Sequence, residues 1–168
     1  MNPRQKENGI TLNKDDVVSS MRTAKYDTSI TKRNRILLVD DEMDIISVYK
    51  EGLSRDGFRV EGYSDPEKAL LDFKPGAYDL VILDIRMPKM NGFELCREIR
   101  KQDDKVKICF LTAFEIQKTE FEKVLPSIKV NGFIAKPVHI GDLCSTVQEV
   151  LSNSKAGYRH NHDWQNFN

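Results

Sequence analysis

The chain has little that would commit it to a nucleic acid or a membrane. Its 26 lysines and arginines are balanced by 26 aspartates and glutamates, so neither a basic footprint nor an acidic field dominates. No apolar run approaches the ~20 residues that a membrane-spanning helix requires. The opening "MNPRQKENGITLNKDD" lacks the apolar core of a signal peptide. Cysteine is scarce and odd in number: Cys96, Cys109 and Cys144 lie inside apolar segments. That placement argues against a disulfide framework and for buried fillers in a reducing compartment. The expectation is a cytoplasmic protein with no membrane partner and no direct nucleic-acid binding.

At 168 residues the chain is long enough for one domain with a proper core, but short for two. Residues 1–34 are polar, with Val17-Val18 as the longest apolar run. Val17, Val18, Met21 and Ala24 make a weak helical stripe behind Asp15 or Asp16. A disordered or loosely docked arm is expected there. Residues 153–168 form a polar tail without a period. Its His160 and His162 lack the further ligands that a metal site needs. The tail is too short for a core of its own, so no attached output domain is expected.

Between these ends, residues 35–152 alternate. "RILLVD", "FRVEGY", "DLVILD", "KVKICFLTA" and "GFIAK" read as five strands. Helices are expected between them. One covers 42–56, with Ile45, Val48, Tyr49, Gly52 and Leu53 on its face and Gly57 as its stop. One follows the Asp65-Pro66 start, with Ala69, Leu70 and Phe73. A third is capped by Asn91 and presents Phe93, Leu95, Cys96 and Ile99, and a fourth runs around 117–125 up to Pro126. The last spans 139–151, with Ile140, Leu143, Val147, Val150 and Leu151. Right-handed crossovers turn this alternation into an α/β fold: a doubly wound five-stranded parallel sheet, order 2-1-3-4-5, with helices on both faces, flavodoxin-like.

The polar residues fall at strand ends. Strand one ends at Asp40-Asp41, strand three at Asp84, strand four at Thr112 and strand five at Lys136. In a parallel sheet all these ends share one edge, where open α/β folds place their ligands. Strands one and three are neighbours, so three carboxylates are expected close together, with the hydroxyl and the ammonium across the crevice, where the Lys136 ammonium can ion-pair with Asp84 and then with an arriving phosphoryl group. Three anions need compensation. A hard divalent cation such as Mg²⁺ supplies it, taking one or two carboxylates and leaving room for phosphate oxygens. The site then suits phosphoryl transfer, with Asp84 as the nucleophile that becomes an aspartyl phosphate.

"LLVDDE", "DLVILDIRMPKMNG", "FLTA" and "GFIAKP", in this order, resemble the receiver domain of two-component response regulators, over about residues 35–152. The resemblance implies that Asp84 is the phosphoacceptor and that Asp41 and Asp84 hold Mg²⁺ directly. It implies that Asp40 acts mainly through a water and that the backbone carbonyl of Arg86 completes the protein ligands. Thr112 and Lys136 would hold the phosphoryl group. Phe133 would be the switch aromatic, and Lys136-Pro137 a bond that is often cis in the family. Asn91 stands where the family often has aspartate. Phe133 replaces a tyrosine and loses its hydroxyl. The implied partners are a sensor histidine kinase or a histidine phosphotransfer protein, and a downstream protein reached by contact. The domain would be no enzyme beyond its own phosphorylation and dephosphorylation.

Two other classes share parts of the pattern. A flavodoxin-like redox carrier needs a hydroxyl- and glycine-rich phosphate loop after strand one. Asp40-Asp41-Glu42 would repel a flavin phosphate there. An aspartate-nucleophile phosphatase of the haloacid dehalogenase type has an acid two residues after its nucleophile, where this chain has Arg86. His139 is expected to be exposed, and Lys32, Arg33 and Arg35 to form a solvated basic run.

Overall fold

The computed structural model describes residues 33–113 and 128–152. The expected arm with its Val17–Ala24 stripe, the helix around 117–125, and the tail with His160 and His162 lie outside these residues, apart from positions 33 and 34. Five strands are described: β1 (Arg35–Val39), β2 (Arg59–Tyr63), β3 (Leu80–Asp84), β4 (Lys107–Thr112) and β5 (Gly132–Ala135). Four helices accompany them: α1 (Met43–Arg55), α2 (Pro66–Asp72), α3 (Gly92–Gln102) and α4 (Ile140–Ser152). The strands pair in parallel in the order β2-β1-β3-β4-β5, as the alternation implied.

Period-two alternation divides the core between the two faces of the sheet. Leu37, Val39, Val81, Leu83, Ile108 and Phe110 face one side, against Ala69 of α2 and Leu95, Cys96 and Ile99 of α3. Ile36, Leu38, Leu80, Ile82, Cys109 and Leu111 face the other, against Ile46, Tyr49 and Leu53 of α1 and Leu143, Cys144 and Val147 of α4. Each buried leucine or isoleucine contributes roughly 1.5–3 kcal/mol relative to exposure. Buried on both sides, β1, β3 and β4 have no solvent face on which to slip register.

Helix ends follow the local chemistry. Asp65 caps α2, its Oδ1 accepting from the N–H groups of Glu67 and Lys68, and Pro66 occupies the first turn. Asn91 caps α3 in a reciprocal box with Glu94. Three expectations need correction. The buried stripe of α1 runs through Ile46, Tyr49 and Leu53, while Val48 is 54% exposed. Ile46, Tyr49 and Leu53 are three, then four, apart and meet the sheet, whereas Gly52 packs at Ile140 of α4. Strand β4 starts only at Lys107, because Asp103 Oδ1 folds back to accept the N–H groups of Lys105 and Val106. Arg35 does not join a solvated run: it opens β1, pairs with Glu61 at 2.8 Å and lies 5.4 Å over the Tyr78 ring. Arg33 and His139 are exposed. Among the described residues no helix is long and apolar enough to cross a membrane.

Candidate functional site

The parallel register sets the carboxyl ends of β1, β3, β4 and β5 along one edge. Asp40 follows β1, Asp84 closes β3, Thr112 closes β4 and Lys136 follows β5. Among the described residues, Asp40, Asp84 and Thr112 are the buried polar ones in an otherwise apolar interior. Buried carboxylates require partners, and both find the same one. Lys136 Nζ donates to Asp40 Oδ2 at 2.5 Å and to Asp84 Oδ1 at 2.7 Å. The sequence suggested an ammonium on the far side of the crevice. It pairs with Asp84 as suggested, and it stands between the two acids, so that Asp40 shares it. The carboxylate of Glu42 is 4.0 Å from the same ammonium.

The remaining oxygens are also committed. Asp40 Oδ1 accepts from the Glu42 N–H at 3.0 Å, and Asp84 Oδ2 accepts from the Arg86 N–H at 2.6 Å. Thr112 is buried beside them, and its carbonyl accepts from the Lys136 N–H at 2.7 Å. The turn out of β4 and the turn out of β5 are thereby joined. The Lys136-Pro137 peptide is cis. Asp41 is solvent-exposed beside Asp40. Of the three expected carboxylates, two converge in this structure, and among the described residues no three His, Cys, Asp or Glu side chains form a metal-holding group.

Burial drives the Asp84 pKa upward. Lys136 and the Arg86 N–H oppose that shift, the charge of Asp40 adds to it, and the net direction is up. Burial also works to lower the Lys136 pKa, but its hydrogen bonds to Asp40 and Asp84 outweigh this and the net direction is up as well. One ammonium thus serves two buried carboxylates, and the surplus is negative. An all-oxygen donor set with surplus negative charge fits a hard divalent cation, which needs one or two carboxylates and otherwise keeps water.

Phe133 on β5 stacks on Phe110 of β4 with ring centroids 5.6 Å apart, and Phe110 meets Phe93 of α3 edge-on at 5.0 Å. The sequence alone assigned no role to Gly92. A Cβ at this residue would overlap the carbonyl oxygen of Asp84, so the start of α3 packs directly on the backbone of the acidic residue. The "MNG" triplet carried that signal: a glycine immediately after a cap marks close backbone approach.

The model of the response regulator receiver domain family matches residues 36–148. Curated relatives include the alkaline phosphatase synthesis transcriptional regulatory protein PhoP of Bacillus subtilis (strain 168), 34% identical over 122 residues. The transcriptional regulatory protein CpxR of Escherichia coli (strain K12) is likewise 34% identical over 122 residues. Both alignments cover 72% of this chain and 50% of the relative, so the chain spans about half the length of these proteins. Among solved structures, the non-phosphorylated HemR receiver domain from Leptospira biflexa aligns with a TM-score of 0.66 and 32% identity. It covers 75% of this chain and 100% of that one. The response regulator protein TrrA from Thermotoga maritima, in complex with Mg²⁺ and BeF, aligns with a TM-score of 0.60 and 35% identity, over 70% and 98% of the two chains.

Proposed function

The chain belongs to the response regulator receiver domain family, and on that premise we propose that it is a Mg²⁺-dependent phosphorylation switch. Asp84 accepts a phosphoryl group from a sensor histidine kinase or a histidine phosphotransfer protein in the cytoplasm. The observation that carries this reading is the Lys136 ammonium held between the buried Asp40 and Asp84. Two buried acids on one cation, at the ligand edge of a doubly wound sheet, are costly as mere structure and useful as a phosphoryl site.

The chain's own groups suit the chemistry. The Arg86 N–H holds Asp84 Oδ2 and so orients the carboxylate. A carboxylate oxygen of Asp84 attacks phosphorus, a new O–P bond forms, and the N–P bond of the donor phosphohistidine breaks. Lys136, already at Asp84, moves its ion pair to the incoming phosphoryl oxygens. The Thr112 hydroxyl donates to another of them. Asp41, Asp84 and the Arg86 carbonyl would hold Mg²⁺, with Asp40 acting mainly through a water, and such an ion would supply neutralisation of phosphoryl charge. The protein acts on no substrate besides its own aspartate, and the signal passes to a further protein by contact.

The test is labelling with Mg²⁺ and a small phosphodonor. An acid-stable, base-labile phosphate at Asp84 is expected by intact mass and peptide mapping. Undiminished labelling of Asp84→Asn would overturn the assignment.

A further inference from the structure

The loop of residues 85–91 carries Arg86 and borders the phosphoacceptor. It is fastened at its base twice, by the Arg86 N–H on Asp84 Oδ2 at 2.6 Å and by the Gly92 N–H on the Ile85 carbonyl at 3.0 Å. Its tip contains a feature that neither fastening explains. Lys89 has φ of 68°, the one non-glycine residue with positive φ among those described. The Met90 N–H donates to the Pro88 carbonyl at 2.8 Å, closing a tight three-residue turn around it. This turn is rare and strained for a residue with a Cβ, and glycine would adopt it freely. Strain at a functional loop points to something gained by the side chain that bears it.

The gain is visible. Lys89 Nζ donates to Asp65 Oδ2 at 2.8 Å and lies 3.9 Å from Glu67 Oε2. Asp65 is the N-cap of α2, and its other oxygen is occupied by the Glu67 and Lys68 N–H groups at 2.9 and 3.2 Å. One carboxylate therefore caps a helix with one oxygen and tethers the loop tip with the other. The Asp65 pKa is lowered, chiefly by the bond to Lys89, and the Lys89 pKa is raised by the same bond.

We propose that Lys89 is a positioning residue for the phosphoryl site: paired with Asp65, it holds the 85–91 loop so that the backbone around Arg86 is set for the divalent cation. The proposal rests on the receiver reading given above. Both partners are well exposed, at 57% and 40%, so the pair adds little to global stability. Its effect belongs in the loop and in cation affinity.

Asp65→Asn keeps the cap, since asparagine caps as well as aspartate, but loses the ion pair. Lys89→Glu sets a third acid beside Asp65 and Glu67, while Lys89→Arg keeps the charge. Calorimetric titration of the full chain with Mg²⁺ should show affinity weakened about two- to fivefold in Asp65→Asn and Lys89→Glu, and restored in Lys89→Arg. Initial labelling of Asp84 should slow at subsaturating Mg²⁺ and recover at saturation. About 0.5 M salt should bring the wild-type affinity towards that of the variants. Thermal stability should stay nearly constant throughout. Unchanged Mg²⁺ affinity in both variants would overturn the proposal while the receiver reading stands, provided that the wild-type chain labels at Asp84. A wild-type chain that does not label overturns both.

Discussion

Gly92 lies against the backbone carbonyl of Asp84 so closely that a single methyl group would overlap the oxygen. The obstacle is main chain and has no rotamer to yield. Gly92→Ala should therefore cost about 2 kcal/mol by overpacking. It should also slow phosphorylation, because relief comes only by shifting Asp84 or the start of α3. Urea denaturation and small-donor labelling on one preparation check both effects. Wild-type behaviour in each would show that the loop absorbs the methyl group.

Lys136→Met leaves Asp40 and Asp84 buried without their shared cation. Breaking a buried pair in this way should cost about 3 kcal/mol at neutral pH in the presence of a chelator. Adding Asp84→Asn should recover part of the loss by removing one of the two stranded charges. A double variant no more stable than the single would mean that charge is not the cause.

Thr112→Ala should still accept phosphate at Asp84, yet respond weakly in β5 and α4. Turning a 1:99 equilibrium into 99:1 needs ~5.5 kcal/mol of differential stabilisation. One charge-assisted hydrogen bond supplies about 1.5–3 kcal/mol, so either Lys136 and Mg²⁺ share the shift with Thr112 or the inactive state is less dominant than that. Amide chemical shifts over residues 128–145, with and without a beryllium-fluoride phosphate mimic, read the coupling. A full wild-type pattern in the variant at equal occupancy would remove Thr112 from the mechanism.

The thiols give a pH prediction. Burial pushes Cys96 up to about 11 and Cys109 up to about 12. Folded thiols therefore keep their protons at pH values where the unfolded ones ionise, near 8.5 to 9. The folded state binds more protons across that window, so this stabilisation is intact below about pH 8.5 and is lost as pH rises towards 11 to 12. Unfolding free energy should fall across that range, and a thiol reagent at pH 8 should label Cys96 and Cys109 only after denaturation. Rapid labelling of either under native conditions would contradict the burial.

Architecture was legible because strand and helix alternate with few long interruptions, and a fully apolar strand such as β3 leaves few alternatives. The acids were legible because they stand where apolar runs stop. Which face of α1 would be buried was less so. Ile45, Ile46, Val48 and Tyr49 offer two overlapping stripes, and packing against β2 and α4 selects between them. The pairing of Lys136 with Asp84 was legible, but its sharing with Asp40 was not, since that depends on distances across the sheet. Nor was the pairing of Lys89 with Asp65, which are 24 residues apart in sequence and belong to different loops.

The sheet is unevenly packed among the described residues, and this has a mechanical consequence. Strands β1, β3 and β4 are clamped by side chains on both faces, whereas β5 is a four-residue edge strand with one buried position, Ile134. Beside Thr112, β4 has a strand packed on both faces on one side and this lightly packed edge on the other. A load placed at the end of β4 is therefore expected to run towards β5, which carries Phe133 and leads to Lys136.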